Sequence, residues 1–287
     1  MSVAIVTDST ASLPLDLVGS HSIWVVPLHV VFGGRQFSEG VDVTAAEVAA
    51  ALRKFTAVST SRPSPQAFLD VYQAAAAGGA DAVVSVHISS DMSGTVESAT
   101  LAASRSPIPV EVVDSRSLGM AMGYAVISAA TAAHQGQDAK TVAAIASSRA
   151  KAATVIFYVD TLEHLRRGGR IGAASALLGS ALAIKPLLAL SDGHIMPIEK
   201  VRTSARALSR LEELALKAVG SAGKAGVDIA VHHLDSQARA GDLVDRLRAR
   251  VPLTTVILVE LGAVVGTHVG PGTIAVAVSP RPDGGRG

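Results

Sequence analysis

The chain has 287 residues, which is enough for two domains of ordinary size or for one large α/β unit. Its 25 Lys and Arg residues balance 24 Asp and Glu residues, so its charge gives no electrostatic case for binding nucleic acid or an anionic membrane. The absence of Cys excludes disulfides, thiolate catalysis and cysteine-ligated metal centres. Hydrophobic residues make up 49% of the chain, a fraction that excludes disorder over most of its length.

Two uncharged stretches, residues 117–137 and 171–184, raise the question of a membrane span. The first is mostly Ala, Gly, Ser and Thr, and the second is shorter than the roughly 20 residues that a spanning helix requires. We therefore expect buried helices at both places and no integral membrane contact. The N-terminal apolar run has no basic residues before it and Asp8 interrupts it, so a secretory signal is not expected and a cytoplasmic location is.

The first half alternates short β-branched runs with Ala-rich segments. Strands are predicted at residues 3–6, 23–31, 82–88 and 110–113, and Pro27 interrupts the second of them. Helices are predicted at residues 44–55 and 64–77, after residue 95, and in the uncharged stretch. Thr44 and Glu47 form a capping-box pattern, and Pro65 suits the first position of a helix. This rhythm is typical of βαβ units, so residues 1–150 are predicted to form an α/β domain with a parallel sheet.

The pattern changes near residue 150. Strands are predicted at residues 154–159, 187–190, 195–201, 228–233, 255–260 and 274–278. Short and amphipathic helices are predicted at 162–169 and 236–250, and Asp192-Gly193 is a hairpin signal. A hairpin among helices indicates a mixed sheet. We expect a second α/β domain at residues 151–280 and a disordered tail at 281–287.

Three hydroxyl-rich loops lie in the first half, at residues 8–10, 59–61 and 89–95. In a parallel sheet such loops lie at the carboxyl edge, where ligands bind. Hydroxyls and helix N-terminal amides together bind a carboxylate or a phosphate without a fixed cation. The alternative is that these Ser and Thr residues only cap the helices that follow.

Among nine histidines, His268 stands out because four glycines surround it within residues 262–272. Such a segment indicates close backbone approach and a ligand role, and the alternative is a turn-rich strand end with His268 merely exposed. His87 is predicted to be a satisfied core residue. No His-x-x-x-His pair exists, and His232 and His233 would point to opposite faces of a strand, so no metal site is predicted.

The basic segment at residues 165–172 matches neither of the glycine-rich phosphate-binding patterns. It is better interpreted as a basic turn or as a docking surface for an acidic partner, to which Lys185, Lys200 and Arg202 add charge. Ser93 and His268 could also form a nucleophile–base pair. The residues around Ser93 lack the G-x-S-x-G elbow, however, and no carboxylate that orients His268 can be identified.

Taken together, these segments resemble the DegV family, the bacterial fatty-acid-binding family that includes the acyl-carrier subunit of fatty acid kinase. The resemblance spans nearly the whole chain in family order, and the ordered set is far more specific than any one motif. The matching segments are IVTDSTASLP (5–14), VPLHVVFGG (26–34), EGVD (39–42), STSRPSP (59–65), SSDMSGT (89–95), VDS (113–115), RGGRI (167–171), IKP (184–186), KVRT (200–203) and GTHVGPG (266–272).

The resemblance implies two α/β domains with one fatty acid in an apolar tunnel between or within them. It places the fatty-acid carboxylate on five residues: Thr60, Ser61, Ser93, Gly94 and His268. It places Arg170 and Arg202 near the head group or on a surface for a kinase. The family's first loop usually has Gln where this chain has Arg62, which affects the local head-group or partner contact.

The sequence therefore predicts a lipid-binding protein without a cofactor or catalytic residues of its own. By resemblance, it presents the carboxylate of a long-chain fatty acid to a separate ATP-dependent kinase subunit and carries the acyl phosphate onward. The alternatives are a serine hydrolase that acts on acyl esters through Ser93 and His268, and a sensor whose lipid occupancy controls binding to a regulator. Residues 118–133 and 171–188, rich in Ala, Gly and Leu, are the candidate tunnel walls, and tight helix packing is the alternative for both.

Overall fold

The computed structural model describes residues 2–177, 184–222, 225–252 and 254–282. The strands are β1 (Val3–Asp8), β2 (Trp24–Val26), β3 (His29–Phe32), β4 (Arg35–Ser38), β5 (Val58–Ser61), β6 (Ala82–His87), β7 (Val110–Asp114), β8 (Thr154–Tyr158), β9 (Lys185–Ser191), β10 (His194–Val201), β11 (Val227–His233), β12 (Thr255–Glu260) and β13 (Ile274–Pro280). The α-helices are α1 (Leu15–Ser20), α2 (Ala45–Arg53), α3 (Pro65–Ala77), α4 (Thr95–Ala103), α5 (Gly119–His134), α6 (Ala139–Ala152), α7 (Glu163–Arg167), α8 (Ser204–Ser221), α9 (Gln237–Arg250) and α10 (Ala263–Val269).

The chain divides into two compact units. The first contains the residues up to His29 together with Ser61–Ala152, and the second contains Val30–Thr60 together with the residues from Ala153 onward. The sequence placed one boundary near residue 150 and assigned residues 30–60 to the N-terminal domain. In the structure these residues instead group with the second unit, because β3, β4 and β5 form a sheet of their own and α2 packs against α10.

The first unit is a three-layer α/β structure. Its sheet has the strand order β2-β1-β6-β7, and all of its neighbouring strands are parallel, as predicted. Apolar side chains from α5 and α6 cover one face, and side chains from α3 and α4, including Phe68 and Tyr72, cover the other. The loops that follow β1 and β6 leave the sheet at the same edge, since the two strands are parallel neighbours.

Local sequence signals explain how the helices of this part of the chain begin. Ser64 accepts a hydrogen bond from the Ala67 amide and Pro65 occupies the first turn of α3. The predicted capping box of α2, which belongs to the second unit, is present between Thr44 and Glu47. These caps stabilise the helix ends that the sequence pattern predicts.

Pro27 separates two strands where the sequence analysis predicted one. Residues 23–31 form β2 in the parallel sheet of the first unit and then β3 in the three-stranded sheet with order β4-β3-β5. Pro27 has no amide hydrogen to donate to a ladder, so a continuous strand through it is disfavoured. The boundary between the two units falls directly after His29.

The second unit contains a mixed sheet, as predicted. Its strand order is β10-β9-β8-β13-β11-β12, in which only β11 and β12 are parallel. A core that includes Tyr158, Leu211 and Leu243 packs α8 and α9 against the sheet. Asp192 and Gly193 both have positive φ, of 46° and 80°, which is the left-handed conformation of the predicted Asp-Gly hairpin turn.

Three further predictions concern the helices and the tail. Twelve of the sixteen residues of α5 are buried, and a methyl group added at Gly123 would collide with Met120 and with the Ala11 carbonyl, so the helix is tightly packed there. Residues 172–177 form a 3₁₀ helix, and residues 178–183 of the same predicted segment lie outside the described residues.

In the predicted tail, Arg281 pairs with Asp228, and residues 283–287 lie outside the described residues. None of the described helices is long and apolar enough to cross a membrane.

Candidate functional site

The first hydroxyl-rich loop, after β1, is used for structure. Asp8 accepts a hydrogen bond from the Thr10 amide and so caps a 3₁₀ helix at Ser9–Ala11. Ser9 Oγ accepts from the Leu28 amide at 3.0 Å. The cap is Asp8 and not a Ser or Thr, and the hydroxyls of Ser9 and Thr10 instead hydrogen-bond to the Leu28 amide and to Asp8.

A fully buried polar network extends from Asp8 into the core of the first unit. Asp8 Oδ2 accepts from the Ile88 amide and is hydrogen-bonded to His87 Nδ1, both at 3.0 Å. His87 Nε2 lies 2.7 Å from Ser85 Oγ, which accepts from the hydroxyl of Tyr72 at 2.9 Å. Burial raises the pKa of Tyr72 to about 12. The prediction that His87 is a satisfied core residue is confirmed.

The loop after β6 presents Ser93 and Gly94 at the start of α4. The Ser93 amide donates to the Ser89 carbonyl at 3.1 Å, and Ser93 Oγ is 2.8 Å from Thr95 Oγ1. Gly94 is the N-cap residue of α4, and no side chain caps this end of the helix. The first amides of α4 therefore keep the donor capacity that favours an anion.

Arg62 lies across this loop within the first unit. Its guanidinium donates to the Gly94 carbonyl at 3.2 Å and forms an ion pair with Glu97. A Cβ atom added at Gly94 would collide with the Arg62 side chain, so glycine is what allows this close approach. The arginine that departs from the family pattern therefore holds the loop that carries Ser93.

The second unit brings Thr60 and His268 together, although 208 positions separate them in the sequence. Thr60 Oγ1, at the end of β5, lies 2.8 Å from Nε2 of His268, near the end of α10. His268 Nδ1 is buried and has no hydrogen-bond partner among the described residues. When the imidazole proton is on Nε2, the ring donates to Thr60 and the Thr60 hydroxyl can donate to a further acceptor.

Burial first, and the positive charge of Arg170 second, lower the pKa of His268 to about 4. The imidazole is therefore neutral at pH 7. Gly168 lies against the ring, since a Cβ atom at this position would collide with Nδ1, and its carbonyl accepts from Arg170 at 2.6 Å. The basic turn after α7 thus forms one side of the His268 environment.

The remaining predicted residues have distinct settings. Ser61 is half-buried, and its hydroxyl makes no hydrogen bond with any described residue. Arg202 is exposed between β10 and α8 and forms no ion pair within the described ranges. Of the five predicted carboxylate contacts, Thr60 and His268 belong to the second unit, whereas Ser61, Ser93 and Gly94 belong to the first.

The helix that carries His268 was not predicted from the sequence. A turn-rich strand end was the weaker alternative for residues 262–272, and the structure has α10 there, followed by Gly270 at φ 80°. Nor was Gly168 predicted as a wall of the His268 environment, for which the Gly168-Gly169 pair was the available signal. No group of three His, Asp or Glu side chains in the described part of the chain could hold a metal ion.

The similarity of this chain to known proteins extends over nearly its whole length. The DegV family model matches residues 2–281. A DegV domain-containing protein of Streptomyces coelicolor is 50% identical over 280 residues, which cover 97% of this chain and 99% of the relative. The match therefore spans both units.

Solved structures agree with this match. The fatty-acid-binding DegV family protein from Thermus thermophilus superposes with a TM-score of 0.89 at 35% identity, covering 98% of this chain and 100% of that one. DegV from Bacillus subtilis, a fatty-acid-binding protein, gives a TM-score of 0.89 at 31% identity with the same coverage. Order of motifs, sheet architecture and these matches lead to one conclusion: the chain belongs to the DegV family.

Proposed function

We propose that this protein binds one long-chain fatty acid and that Thr60, Ser61, Ser93, Gly94 and His268 contact its carboxylate. The observation that carries the proposal is the hydrogen-bonded pair of Thr60 and His268, a neutral imidazole beside a hydroxyl. Whole-chain similarity to two fatty-acid-binding DegV structures supports the ligand class.

The chemistry of these groups suits a carboxylate. Hydroxyl and amide donors bind an anion through short charge-assisted hydrogen bonds, which are roughly twice as strong as neutral ones. Arg170, next to the His268 environment, adds a positive charge without taking the place of the donors. The uncapped first turn of α4 offers amide donors beside Ser93 and Gly94.

An acyl chain supplies most of the gross binding free energy. Burial contributes about 0.8 kcal/mol for each methylene group, so a chain of roughly 16 carbons gains on the order of 12 kcal/mol before ordering costs. The carboxylate contacts then set the orientation of the ligand. Of the two segments predicted as tunnel walls, α5 is tightly packed at Gly123, and we propose that residues 171–177 and 184–188 of the other segment contact the acyl chain.

We further propose that the bound carboxylate is presented to a separate ATP-dependent kinase and that the protein carries the acyl phosphate. The kinase would supply the nucleotide, the Mg²⁺ and the phosphoryl-transfer residues. An arginine that contacts an acidic partner surface is expected to be exposed and unpaired in the free protein. Arg202 is exposed and forms no ion pair with any described residue. Replacing Arg202 with Ala should leave palmitate binding intact and impair kinase-dependent phosphorylation.

Hydrolysis of acyl esters has no support in the geometry. Ser93 Oγ is hydrogen-bonded to a threonine hydroxyl. His268 Nδ1, which donates to an orienting carboxylate in a catalytic triad, has no such partner within the described residues. We therefore do not propose a hydrolase.

Equilibrium binding of palmitate tests the proposed function. The wild type should bind one palmitate per chain, and His268→Ala should weaken binding by about 1–3 kcal/mol, the range for a hydrogen bond to a charged group. His194→Ala, at the exposed first position of β10, is the matched control and should bind as the wild type does. Equal affinities in all three proteins would remove His268 from the site, and a wild type that binds no fatty acid would refute the proposal.

A further inference from the structure

The helix that carries His268 is poorly suited to form by itself. It has seven residues, of which four are β-branched Val or Thr and one is Gly. Its N-cap, Gly262, provides no side-chain hydrogen bond. Short helices of such composition are unstable in isolation, so α10 depends on contacts from elsewhere in the chain.

Glu39 supplies the missing cap from 225 positions away. Its Oε1 accepts a hydrogen bond from the Val264 amide at 2.7 Å, and the Glu39 side chain is buried. A Cβ atom at Gly262 would collide with this carboxylate, so the glycine leaves the space that Glu39 occupies.

The segment that holds Glu39 is itself braced. The Asp42 amide donates to the Ser38 carbonyl at 2.9 Å, and the Gly40 amide donates to the Val43 carbonyl at 3.2 Å. The capping box of α2 follows immediately, and α2 packs along α10. The carboxylate is therefore presented to α10 from a structured turn.

Residues 30–60, which include Glu39, contact α10 near its first turn and near its last turn. Residues 30–60 begin with the sheet that leads to Glu39 and end at Thr60, which is hydrogen-bonded to His268. Glu39 fixes the first turn of the helix, and Thr60 fixes the imidazole near its last turn. Displacement at Glu39 would move the backbone that carries His268 relative to Thr60.

We infer that Glu39 is a positioning residue for the fatty-acid site: it caps α10 from a distance and thereby sets the place of His268 beside Thr60. This inference rests on the proposed function for its effect on ligand affinity. Its effect on the imidazole, by contrast, is a property of the ligand-free protein. The two claims can therefore fail separately.

The experiment is an NMR titration of histidine side chains in the full-length, ligand-free protein, with palmitate affinity measured on the same samples. The variants are Glu39→Ala, which removes the cap, and Glu39→Gln, which retains an oxygen acceptor at the same reach. Gly262→Ala pushes a methyl group into the carboxylate from the opposite side. Val244→Ala, in the core around α9, is the control for a general loss of stability.

Glu39→Ala and Gly262→Ala should each raise the titration midpoint of His268 by at least one pH unit and weaken palmitate binding about tenfold or more. Glu39→Gln should retain most of both properties, and Val244→Ala should change neither. Because the two substitutions break one contact, the double variant should be no worse than the poorer single variant. Should Glu39→Ala fail to fold, Gly262→Ala gives the same test from the other partner.

An unchanged His268 titration in both Glu39→Ala and Gly262→Ala would overturn the inference, whatever the ligand affinities are. The same is true if Val244→Ala shifts the imidazole as much as the cap variants do, since general destabilisation would then explain the effect. A wild type that binds no palmitate, together with the expected NMR shifts, would refute the proposed function and leave the positioning role of Glu39 in place.

Discussion

Two histidines, one in each unit, show how differently the chain uses the same side chain. Both ring nitrogens of His87 are hydrogen-bonded, and the whole network around it is buried in the first unit. His268 in the second unit has one hydrogen-bonded nitrogen, and its other nitrogen has no partner among the described residues. A saturated network stabilises the fold, whereas an imidazole that donates from Nε2 to a hydroxyl leaves that hydroxyl's own hydrogen for a ligand acceptor.

The largest expected effect is the loss of folding stability on removing His87, whose two ring nitrogens are both hydrogen-bonded. His87→Ala should lower the free energy of unfolding by about 3–5 kcal/mol, because it removes one hydrogen bond each from buried Asp8 and buried Ser85 and opens a cavity. Denaturant unfolding measures the change. The comparison would break if His87→Ala cost less than His268→Ala in the same assay.

Buried neutral histidines in the second unit should make the protein sensitive to acid. Burial lowers the pKa of His232 to about 4, from its ordinary value of 6.5. The unfolded chain therefore binds a proton below pH 6.5 that the folded chain refuses until pH 4, and stability falls as the pH falls through this window. The loss is on the order of 3 kcal/mol for His232.

His232→Gln should flatten the dependence of unfolding free energy on pH between 6.5 and 4. His194→Gln, at an exposed position in the same unit, should leave the slope as it is in the wild type. Parallel slopes for the wild type and His232→Gln would show that this imidazole does not titrate as its burial requires.

The hydrogen bond between Thr60 and His268 is expected to affect ligand affinity. Thr60→Val keeps the shape of the side chain but removes the hydroxyl, and it should weaken palmitate binding by about 1–3 kcal/mol. Thr60→Ser restores the hydroxyl and should recover most of the affinity. Calorimetric titration of both variants measures this difference, and equal loss in Val and Ser would point to packing instead of hydrogen bonding.

The smallest effect is expected at Arg62. Its ion pair with Glu97 is exposed on both sides, and such pairs contribute roughly 0–1 kcal/mol. Arg62→Gln, which introduces the residue common in the family, should therefore change unfolding free energy by less than about 1 kcal/mol. A larger change in a denaturant titration would show that Arg62 does more than hold the Ser93 loop.

Local signals in the sequence were sufficient for much of the fold. The capping box of α2, Pro65 at the start of α3 and the Asp192-Gly193 turn each act within a few residues, and all were predicted. Pro27 was seen but its consequence was not, because the sequence does not show that the chain changes sheet there.

The site was harder to predict than the fold, since its contacts join distant segments. The residues near 262 include no capping side chain that would indicate a helix. The cap is Glu39, which is 225 positions away from Val264 in the sequence. The pairing of Thr60 with His268 was accessible only through the family resemblance, which named both residues but not the bond between them. The burial that lowers the pKa of His268 depends on tertiary packing.

Native mass spectrometry of the freshly purified protein, followed by solvent extraction and lipid identification, tests whether the chain binds a fatty acid with the help of His268. We expect one long-chain fatty acid per wild-type chain and loss of that acid in His268→Ala, with the His268→Ala protein still folded. A wild-type protein that carries no fatty acid and takes up none from added palmitate would contradict this expectation.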